Sequence, residues 1–204
     1  MLRGLAYRLA WACAIPAALG ACASTQEKIA QTAAVTAEND TFLPYREYKT
    51  SALLGGDSLN RSEGRSKKLL AARVDRKSGA TAFILEYHIV YRDEGKRGYQ
   101  SVRNAKAELL KMTSIKSRKS NCSRKTDACF VDEILQIYLP EQDVRQAGAG
   151  GYPVKLFARL GPHAQIDIPK VWIDSLLAKV DADKNAPIAA AAAPQPATQS
   201  AAAH

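Results

Sequence analysis

The sequence predicts a mainly β protein. It reads as a single antiparallel β domain, a sandwich or a strongly curved sheet of about seven or eight strands, with two short helices, the second near the C-terminus. Three observations carry that reading. Residues 80–92 alternate strictly: Phe83, Leu85, Tyr87, Ile89 and Tyr91 fall on one face, and Ala82, Ile84, Glu86, His88, Val90 and Arg92 on the other. One apolar and one mixed face mark a half-buried antiparallel strand. Other short alternating runs follow, separated by turn signals such as Lys77-Ser78-Gly79, Asp93-Glu94-Gly95-Lys96 and Gly161-Pro162. Helix starts are signalled twice, by Pro140 with Glu141 and Asp143 behind it, and by Pro169.

Taken in order, residues 22–41 are small and polar, without a sustained apolar face, and read as a flexible tether that could hold a short helix around 27–37. Residues 42–54 bring Tyr45, Tyr48, Leu53 and Leu54, enough for a first strand, and 55–65 are loop-rich in Gly, Ser, Asn and Asp. Residues 69–76 place Leu70, Ala72 and Val74 on one face, and the strand at 80–92 follows after the turn. Residues 98–107 return as its hairpin partner. Residues 108–117 alternate, and Thr113-Ser114-Ile115 favours strand over helix.

Cys122 and Cys129 bracket a polar tip between that strand and residues 130–139, where Val131, Leu135, Ile137 and Leu139 share a side. The helix from Pro140 is two turns at most and ends by Gly148. Residues 152–160 and 165–168 form a last strand pair, and Ile173, Leu176, Leu177 and Val180 make an apolar helical stripe. From Asp183 onward Ala, Pro and Gln dominate, a composition too poor in large apolar groups to order itself. The expected organisation is therefore residues 42–182 as the β domain and 183–204 as a tail.

The N-terminus carries an address. Arg3 and Arg8 precede a mostly apolar run, residues 9–21, too short for the ~20 residues that span a bilayer core. The run ends in Leu19-Gly20-Ala21-Cys22, which resembles the lipobox of bacterial lipoproteins. That resemblance covers residues 1–23 only. It implies a signal peptide at 1–21, lipidation of Cys22 and a lipid-anchored mature chain. Ala23, where an Asp would favour inner-membrane retention, implies an outer-membrane location facing the periplasm. An ordinary signal peptide cut at Ala21-Cys22-Ala23 is the alternative.

Without Arg3 and Arg8 the chain holds 27 basic and 20 acidic residues, a net of +7. The excess is uneven, +10 over residues 22–125 and −3 over 126–204. For an exported chain the expected partners are anionic envelope components, lipopolysaccharide among them, or an acidic protein face, and not nucleic acid. Two clusters stand out. Arg61, Arg65, Lys67, Lys68, Arg73, Arg76 and Lys77 face only Glu63 and Asp75, while Lys111, Lys116, Arg118, Lys119, Arg124 and Lys125 have no acid among them. The second set would line one arm and the tip of a hairpin.

Cys122 and Cys129 read as a structural disulfide. Six intervening residues are too many for the usual redox pair, and no other Cys or His lies near enough in sequence to complete a metal set. Glu86 and His88, two apart on one strand face, are the nearest approach to an acid–base pair, against the plainer reading of polar neighbours on a wet sheet face. No cofactor or metal motif is present in the sequence. The first expectation for function is thus a lipid-anchored, non-catalytic binding protein using the cationic hairpin. The second is an accessory or scaffold subunit of an envelope assembly, and the third is a periplasmic enzyme using Glu86 and His88.

Overall fold

The computed structural model describes residues 27, 29–55, 65–93, 96–122 and 129–185. After a helical turn at residues 29–31, ten strands and two further helices follow one another along them. The strands are β1 (Val35–Glu38), β2 (Tyr45–Thr50), β3 (Leu53–Gly55), β4 (Arg65–Asp75), β5 (Thr81–Asp93), β6 (Tyr99–Asn104), β7 (Leu109–Ser120), β8 (Cys129–Leu139), β9 (Tyr152–Ala158) and β10 (Ala164–Ile168). The helices are α1 (Glu141–Arg145) and α2 (Lys170–Asn185). All pairings are antiparallel, in the order β1-β2-β4-β5-β8-β7-β6-β9-β10, with β3 pairing β4 off that path. Of the two architectures expected, this is the curved single sheet.

The sheet curls around α2. Trp172, Ile173, Leu176 and Val180 are fully buried, at the three- and four-residue spacing of an apolar stripe, and the helix lies on β1, β2 and β4. They pack with Leu70, Phe83, Leu85, Val131, Ile137 and Leu156 from the inner faces of the strands. A full Trp and several aliphatic side chains removed from water each contribute about 1.5–3 kcal/mol, so α2 is the centre of the core. β7 makes the bend. Only Leu109 and Leu110 pair with β6, while Lys111 through Ser120 pair with β8, with a register shift between Ser114 and Lys116. β10 returns to the other limb of the curl, where the Lys68 Nζ donates to the Asp167 carbonyl at 2.6 Å. Gly151, at φ 81°, makes the turn into β9 so close to β10 that a Cβ there would lie 2.1 Å from the Ile168 carbonyl oxygen.

Four expectations are adjusted. Residues 99–104 are not the hairpin partner of β5: β6 pairs β7 and β9, and β5 is flanked by β4 and β8, because the long alternating strand β8 covers that edge of β5 along its whole length. The fold begins inside the segment read as tether: β1 pairs β2 with Val35 opposite Thr50, Ala33 is buried, and the Trp172 Nε1 donates to the Thr32 Oγ1 at 3.0 Å. A four-residue strand is too short to show alternation, and the ladder holds it. The domain also runs past residue 182, since the Tyr48 hydroxyl donates to the Asp183 carboxylate at 2.8 Å. Finally, β4 begins at Arg65, four residues earlier than its apolar pattern suggests, because Arg65 through Lys68 are carried by backbone pairing with Tyr87 through Val90 of β5. The signal segment with Cys22, the hairpin tip with Arg124 and Lys125, and the tail from residue 186 lie outside the described residues.

Candidate anionic-ligand surface

In an antiparallel ladder, residues directly opposite each other point to the same face. The register of β4, β5, β8 and β7 therefore dictates which side chains share the outer, convex face. One row reads Arg65, Val90, Asp132, Arg118, and the next reads Lys67, His88, Ile134, Lys116. Above them lie Arg92, Phe130 and Ser120. Leu54 of β3 stands beside Lys67 on the same face. The two basic clusters, far apart in sequence, thus flank one another across two intervening strands, about 14 Å apart at ~4.8 Å per strand.

Asp132 is the acid at the middle of these rows. Its carboxylate is paired with Lys116 and accepts from the His88 Nε2 at 2.7 Å. The hydrogen bond from Lys116, assisted by the one with His88, holds the Asp132 carboxyl below its ordinary value, against a smaller upward push from partial burial. Arg92 lies over the Phe130 ring at 5.9 Å, and Phe130 and Leu54 are exposed, so large apolar groups are interleaved with the cations.

The opposite, inner side of the same strands is rigidly braced. Glu133 is buried and accepts from the Tyr91 hydroxyl at 2.9 Å and the Ser117 Oγ at 3.3 Å. The buried Arg97 lies over the Tyr91 ring at 4.2 Å, and its backbone N–H donates to the Tyr91 hydroxyl at 2.7 Å. Burial raises the Tyr91 phenol well above its usual range, so it remains a neutral donor. Behind the cationic rows, β5, β8 and β7 are therefore held in one geometry.

The structure divides the expected binding set. Lys116 and Arg118 belong to the two rows. Lys111 is on the same face but further along, over the Tyr138 ring at 5.0 Å. Lys119 pairs opposite Val131 and so points to the other face. Cys122 and Cys129 form the disulfide and join the ends of the β7–β8 hairpin. Arg65 and Lys67, from the first basic cluster, join the surface beside the expected set, as do Arg92 and Asp132, which belonged to neither cluster. Their signal was partly available, since Arg92 and His88 share the alternation of β5. Which strands flank β5 is a property of the topology and has no local signature.

Glu86 and His88 share a face, as the alternation requires, but the recorded partner of the imidazole is Asp132 and not Glu86, which sits one row further along between Leu69 and Gln136. In the ladder His88 is surrounded by Lys67, Ile134, Glu86 and Val90, none of them a hydroxyl or thiol nucleophile. The His88–Asp132–Lys116 group can hold charge in place on an open sheet face.

A half-open pocket of about 210 Å³ lies elsewhere, lined by Asn104, Lys106, Asp143, Gln146 and Tyr152 among others. There Asp143 accepts from the Lys106 Nζ at 3.1 Å, the Tyr152 hydroxyl at 3.2 Å and the Asn104 Nδ2 at 3.3 Å. Lys106 above all holds its carboxyl below the ordinary value, while burial pushes the Tyr152 phenol up to about 12. The cluster ties the β6–β7 turn to α1. Among the described residues no group of three or more His, Cys, Asp or Glu could hold a metal ion, and no helix is long and apolar enough to cross a membrane. No protein-family model, curated protein or solved structure matches the chain.

Proposed function

We propose that this protein is a lipid-anchored, non-catalytic component of a bacterial cell envelope, attached through Cys22 to the outer membrane and facing the periplasm, that docks on anionic lipid headgroups through the outer face of β4, β5, β8 and β7. The observation that carries the reading is the register that sets Arg65 and Lys67 level with Arg118 and Lys116. Phosphate-bearing headgroups, lipopolysaccharide included, suit a flat face of spaced cations with exposed apolar side chains between them.

Because a helical turn already occupies residues 29–31 and β1 starts at Val35, the chain between Cys22 and Ile29 spans at most about 25 Å. So short a connection keeps the domain near its own membrane and raises the effective concentration of headgroups at its surface.

The test is recovery of the native lipoprotein from detergent-solubilised envelopes, with low- and high-salt washes and mass spectrometry of lipids and proteins. Anionic lipid lost at high salt is the expected result. A salt-resistant protein complex without bound lipid would replace this reading with the scaffold role. Substitution Cys22→Ser should release the chain from the membrane fraction in a high-salt wash that leaves the wild type attached, and salt-resistant retention of the variant would refute the lipid anchor.

A further inference from the structure

The half-open pocket of about 210 Å³ between the β6–β7 turn, α1 and the start of β9 is held in shape by its own residues. Asn104, itself buried, staples the turn. Its Oδ1 accepts from the backbone N–H groups of Lys106 and Glu108 at 3.0 Å each, and Ala107 completes the turn at φ 63°. On another side Gly148 bridges Gly151, whose backbone packs directly on the Ile168 carbonyl. The buried Val144 and the Arg145–Asp181 ion pair hold α1 in place. Much of the lining is small, with Ala105, Ala147, Gly148, Gly151 and Pro153 leaving room beside Asp143. The Asp143 Oδ2 is fixed by two buried groups, the Tyr152 hydroxyl at 3.2 Å and the Asn104 Nδ2 at 3.3 Å. Its Oδ1 accepts from the Lys106 Nζ at 3.1 Å.

We infer that this pocket binds a primary ammonium carried on a short apolar stem, the group of a free alkylamine or of a lysine from another chain, with the Asp143 Oδ1 as its anchor. Lys106 shows the fit, because it is itself an ammonium on an alkyl stem and sits on that oxygen. It is also replaceable. Its side chain is 62% exposed, and an ion pair with so exposed a partner adds little to stability, so an incoming ammonium can exchange with it at small cost. Asp143 stays ionised during the exchange, since Tyr152 and Asn104 lower its carboxyl alongside Lys106. Charge selects the ligand. The Asn104 Nδ2 also donates to the Glu108 carboxylate at 2.6 Å, so two carboxylates meet one ammonium here and a further cation is favoured over an anion. The small apolar lining takes the stem, and partial enclosure strengthens the charge-assisted bond at its head. This site lies apart from the cationic rows of β4, β5, β8 and β7 and takes a ligand of the opposite charge.

The experiment titrates the full-length lipoprotein in non-ionic detergent, at fixed ionic strength, with n-pentylamine, with N-acetyl-lysine methylamide and with pentanoate as the anionic control, reading backbone amide shifts. The expected result is saturable shifts at Lys106, Gln146 and Gly148 with one or both amines and none there with pentanoate. Tighter binding of pentylamine assigns the site to free amines, and tighter binding of the lysine derivative assigns it to a lysine of a partner protein. Lys106→Ala removes the resident ammonium and should tighten amine binding about fivefold, while Asp143→Asn should weaken it at least about tenfold. Melting curves check both variants; if Asp143→Asn does not fold, the wild-type and Lys106→Ala titrations decide. Failure of both amines to bind the wild type, equal binding of pentanoate at the same residues, or no tightening in Lys106→Ala would each overturn the inference. Binding by Lys106→Ala alone would make Lys106 the permanent occupant of the pocket and overturn it as well.

Discussion

Substitution Asp132→Asn should make the protein less stable and bind anionic vesicles more tightly. The structure fixes both signs. Around the two rows, Arg65, Lys67, Arg92, Lys116 and Arg118 supply five formal positive charges and Asp132 one negative charge, so removing the carboxylate raises the local net from +4 to +5. At about 1 kcal/mol per charge near an anionic surface, binding should strengthen about fivefold, and Arg118→Gln should weaken it by a like factor.

Stability moves the other way, because Asp132 is bonded to both Lys116 and His88. These groups are partly exposed, so the loss is held to about 1 kcal/mol, or roughly 2–4 °C in melting temperature for a domain of this size. Sedimentation with phosphatidylglycerol vesicles at fixed ionic strength, beside thermal melts, reads both quantities. If Asp132→Asn weakened vesicle binding, Asp132 would be acting by positioning Lys116 and His88 at a specific contact. The account of a summed cationic face would then be wrong.

Three further outcomes follow from the core and the turns. Gly151→Ala combines a left-handed backbone with a Cβ that would sit 2.1 Å from the Ile168 carbonyl oxygen, and should cost at least about 2 kcal/mol by chemical denaturation. Asp143 has a native pKa below its reference of 3.8, so its contribution to stability is complete above that value and is lost as the pH falls through the lowered one. Wild type should therefore lose stability more steeply than Asp143→Asn below about pH 4, as acid titration of the melting temperature will show. Replacing Cys122 and Cys129 by Ser opens a short loop and should cost about 2.5 kcal/mol, with the curled sheet retained by circular dichroism.

The fold class was legible because burial imposes period two on the central strands. Phe83, Leu85, Tyr87, Ile89 and Tyr91 are all buried, as are Leu70 and Ala72 on the neighbouring strand. The apolar stripe of α2 was legible for the same reason. Elements held by backbone pairing, with little burial of their own, escaped notice: β1 and the basic start of β4 have no pattern to read. The charge clusters were visible, but their meaning was not. Lys116 looked uncompensated because Asp132 is sixteen residues away in sequence and only the β7–β8 register brings them together. The disulfide needed no fold-level topology, since Cys122 and Cys129 are only seven apart in sequence and the turn of one hairpin brings them together. The choice between sandwich and curled sheet rests on the bend at β7, where register shifts between Ser114 and Lys116 and β6 takes over from β8 as the strand's partner. Local periodicity does not encode such a change of partner.

The most direct test compares vesicle binding of two double reversals, Arg65→Glu with Lys67→Glu on β4, and Lys116→Glu with Arg118→Glu on β7. If one anionic surface spans the face, each pair should lower affinity for anionic vesicles by at least about tenfold, with binding that weakens as salt rises. If the β4 pair binds as wild type, the two clusters do not act as one surface, and the account given for this face is contradicted.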